Sequence, residues 1–179
     1  FLEKSTRGEL AYAVHQAARF SENPKESHTR HVHNVVRCLI GTRNEGMIID
    51  PKEPIFEVYA DADFCGLFDN KIAEGDPNTA RSRTGFVIVF AKCPVIWASK
   101  LQTEFAFSST ESEYISLSTA LREVIPLMGL LSEFKKQGIL TDKYVPKVYC
   151  KAFEDNSYPH QVGKWSEFEN IKFPKYFSK

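Results

Sequence analysis

Neither sign of charge is in excess: 23 lysines and arginines meet 23 aspartates and glutamates across 179 residues. A free-standing nucleic-acid binder usually carries a basic surplus, so any such role must rest on a local surface or on a neighbouring domain. The chain also lacks a Cys-x-x-Cys pair. Its four cysteines, Cys38, Cys65, Cys93 and Cys150, are scattered, which argues against a disulfide frame or a zinc site. They read as reduced, mostly buried thiols of an intracellular protein. His28, His31 and His33 cluster, but nothing stands at zinc-ligand spacing to complete a site, and they read as a solvated helix face. No apolar run approaches the ~18 residues of a membrane span. Signal peptide, repeats and low-complexity tracts are absent too, and an opening on Phe1 instead of methionine suggests an excised piece of something longer.

What remains is an ordinary globular composition, 42% hydrophobic and 26% charged, able to bury a core. Thr6-Arg7-Gly8-Glu9 has the form of a capping box, followed by Leu10, Val14 and Ala17 at helical spacing until Asn23-Pro24. A second helix is expected from about Lys25 to Ile40, with His28, Val32, Val35, Val36 and Leu39 on its apolar stripe. After Asp50-Pro51 the texture changes. Ile55 to Asp61 alternates like a strand, residues 70–82 read as a polar loop, and Thr84–Lys92 with Pro94–Ser99 read as a hairpin parted at Cys93-Pro94. From Thr110 the period is helical, with a break or kink expected at Pro126 and a stop at Gly138. Val145 to Ala152 is a short strand. This order predicts an α/β fold, a mixed sheet with helices packed on it and a short helical segment in front.

Three acids stand at element ends: Asp61 after the first strand, Glu113 in the first turn of the central helix, and Asp155 past the last strand. Only the fold could bring them together. Carboxylates gathered at strand ends suit Mg²⁺, which prefers hard oxygen ligands and shares them with substrate phosphates. A pair of such ions can activate water and stabilise a leaving oxygen. Each acid also has a plain structural reading. Glu113 could close a capping box with Thr110, Asp155-Asn156-Ser157 is good turn chemistry, and Asp61-Ala62-Asp63 could be a solvated strand exit.

The flanking residues separate these readings. Val58-Tyr59-Ala60-Asp61-Ala62-Asp63-Phe64-Cys65-Gly66 resembles the Tyr-Ser-Asp-Ala-Asp-Trp-Ala-Gly signature of copia-type retrotransposon RNase H. Ser82-Arg83-Thr84-Gly85-Phe86 and Trp97-Ala98-Ser99-Lys100-Leu101-Gln102 resemble that family's next two elements. Ser108-Ser109-Thr110-Glu111-Ser112-Glu113-Tyr114-Ile115-Ser116-Leu117-Ser118 is the most specific match, and Glu154-Asp155-Asn156-Ser157 resembles the Asp-Asn strand end. Ser5-Thr6-Arg7, Ala11-Tyr12-Ala13-Val14 and Gly41-Thr42-Arg43 are similar to the tail of the family's reverse transcriptase.

The resemblance implies residues 1–50 as that helical tail, 54–157 as an RNase H-like domain with a mixed five-stranded sheet, and 158–179 as a divergent segment. Only about four strands are evident from the sequence. The resemblance also implies an RNA–DNA hybrid ribonuclease in which Asp61, Glu113 and Asp155 bind two Mg²⁺ (or Mn²⁺) ions. Glu113 is preferred to Glu111 because it directly precedes the aromatic Tyr114, and Asp63 would neighbour the site. Ser82, Arg83, Lys100 and Gln102 are polar enough to touch a nucleic-acid backbone, ordinary surface placement being the alternative. The implied partners are a hybrid and the remainder of the polyprotein, with no membrane, in an intracellular, cytoplasmic setting of virus-like particles. After Ser157 the match ends, without the family's further acid and histidine. That loss implies impaired activity or, as the alternative, an inactive hybrid-binding or structural remnant.

Overall fold

A computed structural model describes residues 1–71 and 73–153, and the backbone of Ser166–Glu169. Its centre is a five-stranded sheet in the order β3-β2-β1-β4-β5. Strand β1 (Phe56–Asp63) lies antiparallel to β2 (Arg83–Phe90), which continues antiparallel into β3 (Cys93–Leu101). On its other side β1 is parallel to β4 (Tyr149–Phe153), from Phe56 beside Cys150 to Tyr59 beside Phe153. The fifth strand, β5 (Ser166–Glu169), pairs antiparallel with β4 and comes from the segment expected to be divergent. The α/β expectation of a mixed sheet with flanking helices therefore holds.

Alternation along β1 decides which side carries the core. Phe56, Val58 and Ala60 point to one face and are buried with Phe86, Ile88 and Cys150. Against that face lies α4 (Ser109–Lys136), presenting Ser112, Ser116, Ala120, Val124 and Met128 at a strict four-residue interval. Four of these five are small or β-branched, so the helix sits close to the sheet. Among the described residues α4 is the helix long and apolar enough, by length and composition, to cross a membrane. Here the Ala120, Val124 and Met128 stripe belongs to the sheet's core. The expected break at Pro126 does not occur. The proline removes one backbone donor, but Val124 and Met128 on either side are both seated in the core, which holds the helix through it. The chain turns out of α4 at Gly138, whose φ of 73° favours glycine.

The opposite face of the sheet is covered near β3 by the N-terminal segment: α1 (Leu2–Ser5), a 3-10 turn (Gly8–Leu10), α2 (Ala11–Ala18) and α3 (Glu26–Gly41). The capping box expected at Thr6 is not formed. Arg7 precedes the turn without a side-chain cap, and Glu9 accepts a bond from the Arg7 guanidinium instead. Trp97 holds this layer from the sheet side, its Nε1 donating to the Glu3 carbonyl at 2.7 Å. Gly8 lies so near the indole that a Cβ would stand 2.8 Å from it. The helical stripe of α3 is only half covered, since Val32 and Val36 are exposed. Its His28 stacks on Phe20 with ring centroids 4.0 Å apart, and His31 bonds the Ala13 carbonyl at 3.1 Å. These two histidines therefore join α3 to α2.

The hairpin turns earlier than expected, at Ala91-Lys92, both with positive φ. Such a two-residue turn matches the right-handed twist of the strands, and it carries the Lys92 ammonium to Glu57 at 2.6 Å. Of the four cysteines only Cys93 and Cys150 are buried, while Cys38 is exposed and Cys65 intermediate. Burial pushes the Cys150 thiol up to about 12.

Two substitutions test these placements by urea unfolding. Gly138→Ala should cost about 1 kcal/mol through its left-handed backbone alone, because no atom lies within 4 Å of the added methyl. Gly8→Ala should cost about 1–3 kcal/mol by overpacking and shift Trp97 emission to the red, as the N-terminal layer is pushed off the indole.

Candidate active site at the acidic end of the sheet

The end of the sheet where β1 stops and α4 starts is tied together by hydrogen bonds from small side chains. Ser116 Oγ donates to the Asp61 carbonyl at 2.6 Å and lies 3.3 Å from the Gly85 carbonyl. Gln102 is almost fully buried, and its Nε2 donates to the Ser112 carbonyl at 2.9 Å and to Thr84 Oγ1 at 3.2 Å. One glutamine thus joins β2, the exit of β3 and the start of α4. Ser82 and Arg83 are equally buried, and of the four polar residues considered for backbone contact only Lys100 is exposed. Neither sequence expectation for Ser82, Arg83 and Gln102 holds, because these motif residues build the site's frame from inside.

The helix start also separates the two glutamates. Ser108 caps α4 by accepting from the Glu111 backbone at 3.1 Å, and the Glu111 carboxylate accepts from the Phe107 backbone at 2.6 Å. The cap is therefore Ser108, with the Glu111 carboxylate on the preceding Phe107 N–H, and not Thr110 with Glu113. Ser108-x-x-Glu111 already has the capping-box form in the sequence. Glu111 is engaged as a cap, and Glu113 is half-buried one turn before Ser116, with one carboxylate oxygen fully buried.

Asp61 stands at the same end but on the other side of the sheet. Alternation puts it with Tyr59, on the face away from α4, where it is exposed and its Oδ1 accepts from the Ala62 backbone at 2.8 Å. Ser116 thus brings the Asp61 backbone to the helix bearing Glu113, while the Asp61 side chain points out of the core. Asp63 is also exposed, and its carboxylate lies over Gly66. Asp155 lies outside the described residues. Phe153, the last described residue of β4, stands beside Tyr59.

Asp61 and Glu113 offer oxygen donors, which suit a hard divalent cation that completes its shell with water and phosphate. Among the described residues no three metal-ligating side chains gather.

A buried polar cluster on the outer face was not anticipated. The Arg83 guanidinium donates to His15 Nδ1 at 3.1 Å and Gln16 Oε1 at 3.0 Å, and lies 4.9 Å over the Tyr12 ring. This bond requires His15 Nδ1 to be unprotonated. Burial first, then the charges of Arg83 and Arg19, hold His15 below its ordinary value, with Glu3 opposing. Burial likewise lowers Arg83. Residues 68 positions apart carry no local signal of such a pairing.

The strand order, with three antiparallel strands, a parallel fourth and a core helix crossing between β3 and β4, defines an RNase H-like α/β fold. No protein-family model and no solved structure matches the chain. It is 36% identical over 81% of its length to the retrovirus-related Pol polyprotein from transposon TNT 1-94 of Nicotiana tabacum. To that from transposon RE1 of Arabidopsis thaliana it is 30% identical, again over 81%. A secreted RxLR effector protein 161 of Plasmopara viticola is 32% identical over 70% of the chain and 82% of its own length. The chain belongs to the family of copia-like retrotransposon Pol polyproteins. It spans 10% of the TNT 1-94 polyprotein and 9% of RE1.

The His15 environment sets a pH dependence. Its folded value is depressed, so as pH falls through about 6.5 the unfolded chain takes up the proton first and stability is lost. Urea midpoints should decline from pH 7.5 to 5.5, and His15→Gln should flatten that slope; an equal slope in both proteins would exclude His15 as its source.

Proposed function

We propose that this chain is the RNase H unit of its polyprotein and hydrolyses the RNA strand of an RNA–DNA hybrid, with Asp61, Glu113 and Asp155 as the carboxylates holding two Mg²⁺ or Mn²⁺ ions. The observation that carries the reading is the Ser116 bond to the Asp61 carbonyl. It joins β1 and the start of α4, which bring Asp61 and Glu113 to one end of the sheet. The parallel pairing of Tyr59 with Phe153 adds to this, since Asp61 and Asp155 each follow two residues later in the chain.

Bound metal supplies charge for activating water and for stabilising the leaving 3′ oxygen. The protein's own contribution is placement. Ser116 and Gln102 fix the strand end against the helix, so Asp61 and Glu113 are carried on elements bonded to one another. Glu111, occupied by the cap, holds the first turn that carries Glu113. With no net positive charge on the chain, grip on the hybrid falls to local contacts and to the rest of the polyprotein, and choosing RNA requires contact with the 2′ hydroxyl.

A second reading, an inactive hybrid-binding or structural remnant, draws on the end of the family resemblance after Ser157. The two are separated by incubating a labelled RNA–DNA hybrid with Mg²⁺ or Mn²⁺. The nuclease reading expects RNA-strand cleavage that falls by at least about 100-fold in Asp61→Asn, the scale of losing one fixed electrostatic group at a reacting centre. Cleavage unchanged in Asp61→Asn would remove Asp61 from the site, and retained hybrid binding without cleavage would establish the remnant.

A further inference from the structure

A cleft of about 570 Å³ opens on the outer face of the sheet, between the N-terminal layer and β1 to β3, and Asp61 forms part of its wall. We infer that this cleft is a nucleobase subsite, taking the flat ring of an unpaired nucleotide adjoining the acidic end. The volume lies within the range of small-molecule sites. Its walls are aromatic: Tyr12 from α2, Tyr59 from β1, Trp97 from β3 and Phe153 from β4. Tyr59 and Phe153 stack with centroids 4.6 Å apart and planes only 7° from parallel, presenting a flat platform. Tyr12 and Tyr59 remain about half exposed, so ring surface is open to a further partner.

Charge decides which flat ligand fits. Among the described residues the lining includes Asp61 and Glu9, the latter paired with Arg7, and no lysine or arginine, so it offers a phosphate no cation. Arg83 is near, but its guanidinium is turned to Tyr12, His15 and Gln16. A neutral aromatic ring is therefore favoured inside, with its attached phosphate left outside the cleft. Base stacking on aromatic side chains is sequence-tolerant and works without a basic excess, which is the condition of this chain. The cleft depends on the N-terminal helices, so the segment preceding the sheet supplies a wall of the site. The inference rests on the nuclease reading for its biological meaning, but binding can be measured without cleavage.

The test uses Trp97 as reporter, in the full chain carrying Trp165→Phe so that a single tryptophan remains. Guanosine and adenosine, titrated in metal-free buffer, should quench Trp97 fluorescence saturably, and ribose should not. Tyr59→Leu should weaken binding roughly tenfold or more, while Tyr59→Phe, which keeps the ring, should restore it. Absence of saturable quenching in a protein with intact circular dichroism would overturn the subsite. So would quenching indifferent to Tyr59→Leu, or tighter binding of N-acetylphenylalanine amide than of either nucleoside, which would assign the cleft to a protein side chain. Saturable quenching without cleavage in the unmutated chain would fail the nuclease reading alone.

Discussion

The structure depends on one close approach, that of α4 to the sheet along the Ser112, Ser116, Ala120, Val124 and Met128 stripe. Small residues there let a 28-residue helix lie near the strands, and the deeper positions bury apolar area worth about 25 cal/mol per Å². Toward its N-terminus the same stripe turns polar. Ser112 and Ser116 exchange apolar packing for bonds to Gln102 and to the Asp61 carbonyl. A helix seated on larger side chains would lift away from β1, and Glu113 would lose its defined relation to the strand end.

That constraint changes the meaning of the most specific motif. In Ser108 to Ser118, Ser108 and Glu111 cap the helix while Ser112 and Ser116 seat it. Glu113 lies half-buried in the same run. Ser82, Arg83 and Gln102 show the same division, since each is buried in the frame. A family motif here records the architecture of the site at least as much as its chemistry.

The outer face depends on a different kind of contact. The N-terminal helices reach the sheet through Trp97 lying flat on Gly8 and through Arg83 bonded to His15 and Gln16. This layer is partly polar and only partly covers the apolar stripe of α3. Its docking is correspondingly sensitive to protonation, which a purely apolar contact would not be. It also turns an exposed strand face into a cleft beside Asp61.

The local elements were legible where periodicity was strong. β1, the hairpin strands, α3 and the start of α4 follow from alternation and helical spacing, because those patterns express which side of each element meets the core. The Pro126 break and the turn at Cys93-Pro94 were misread. A proline's missing donor is outweighed when core residues flank it, and a left-handed Ala91-Lys92 turn lacks the glycine that would announce it. By itself the sequence determined β1, the hairpin strands, α3 and the family, since these are written in local residue patterns. Only the tertiary structure decided that Asp61 and Glu113 reach the same end from opposite faces, and that Arg83 is an internal ligand of His15. Those facts arise from packing between residues remote in the chain, where burial and bond geometry, not local propensity, choose the partners.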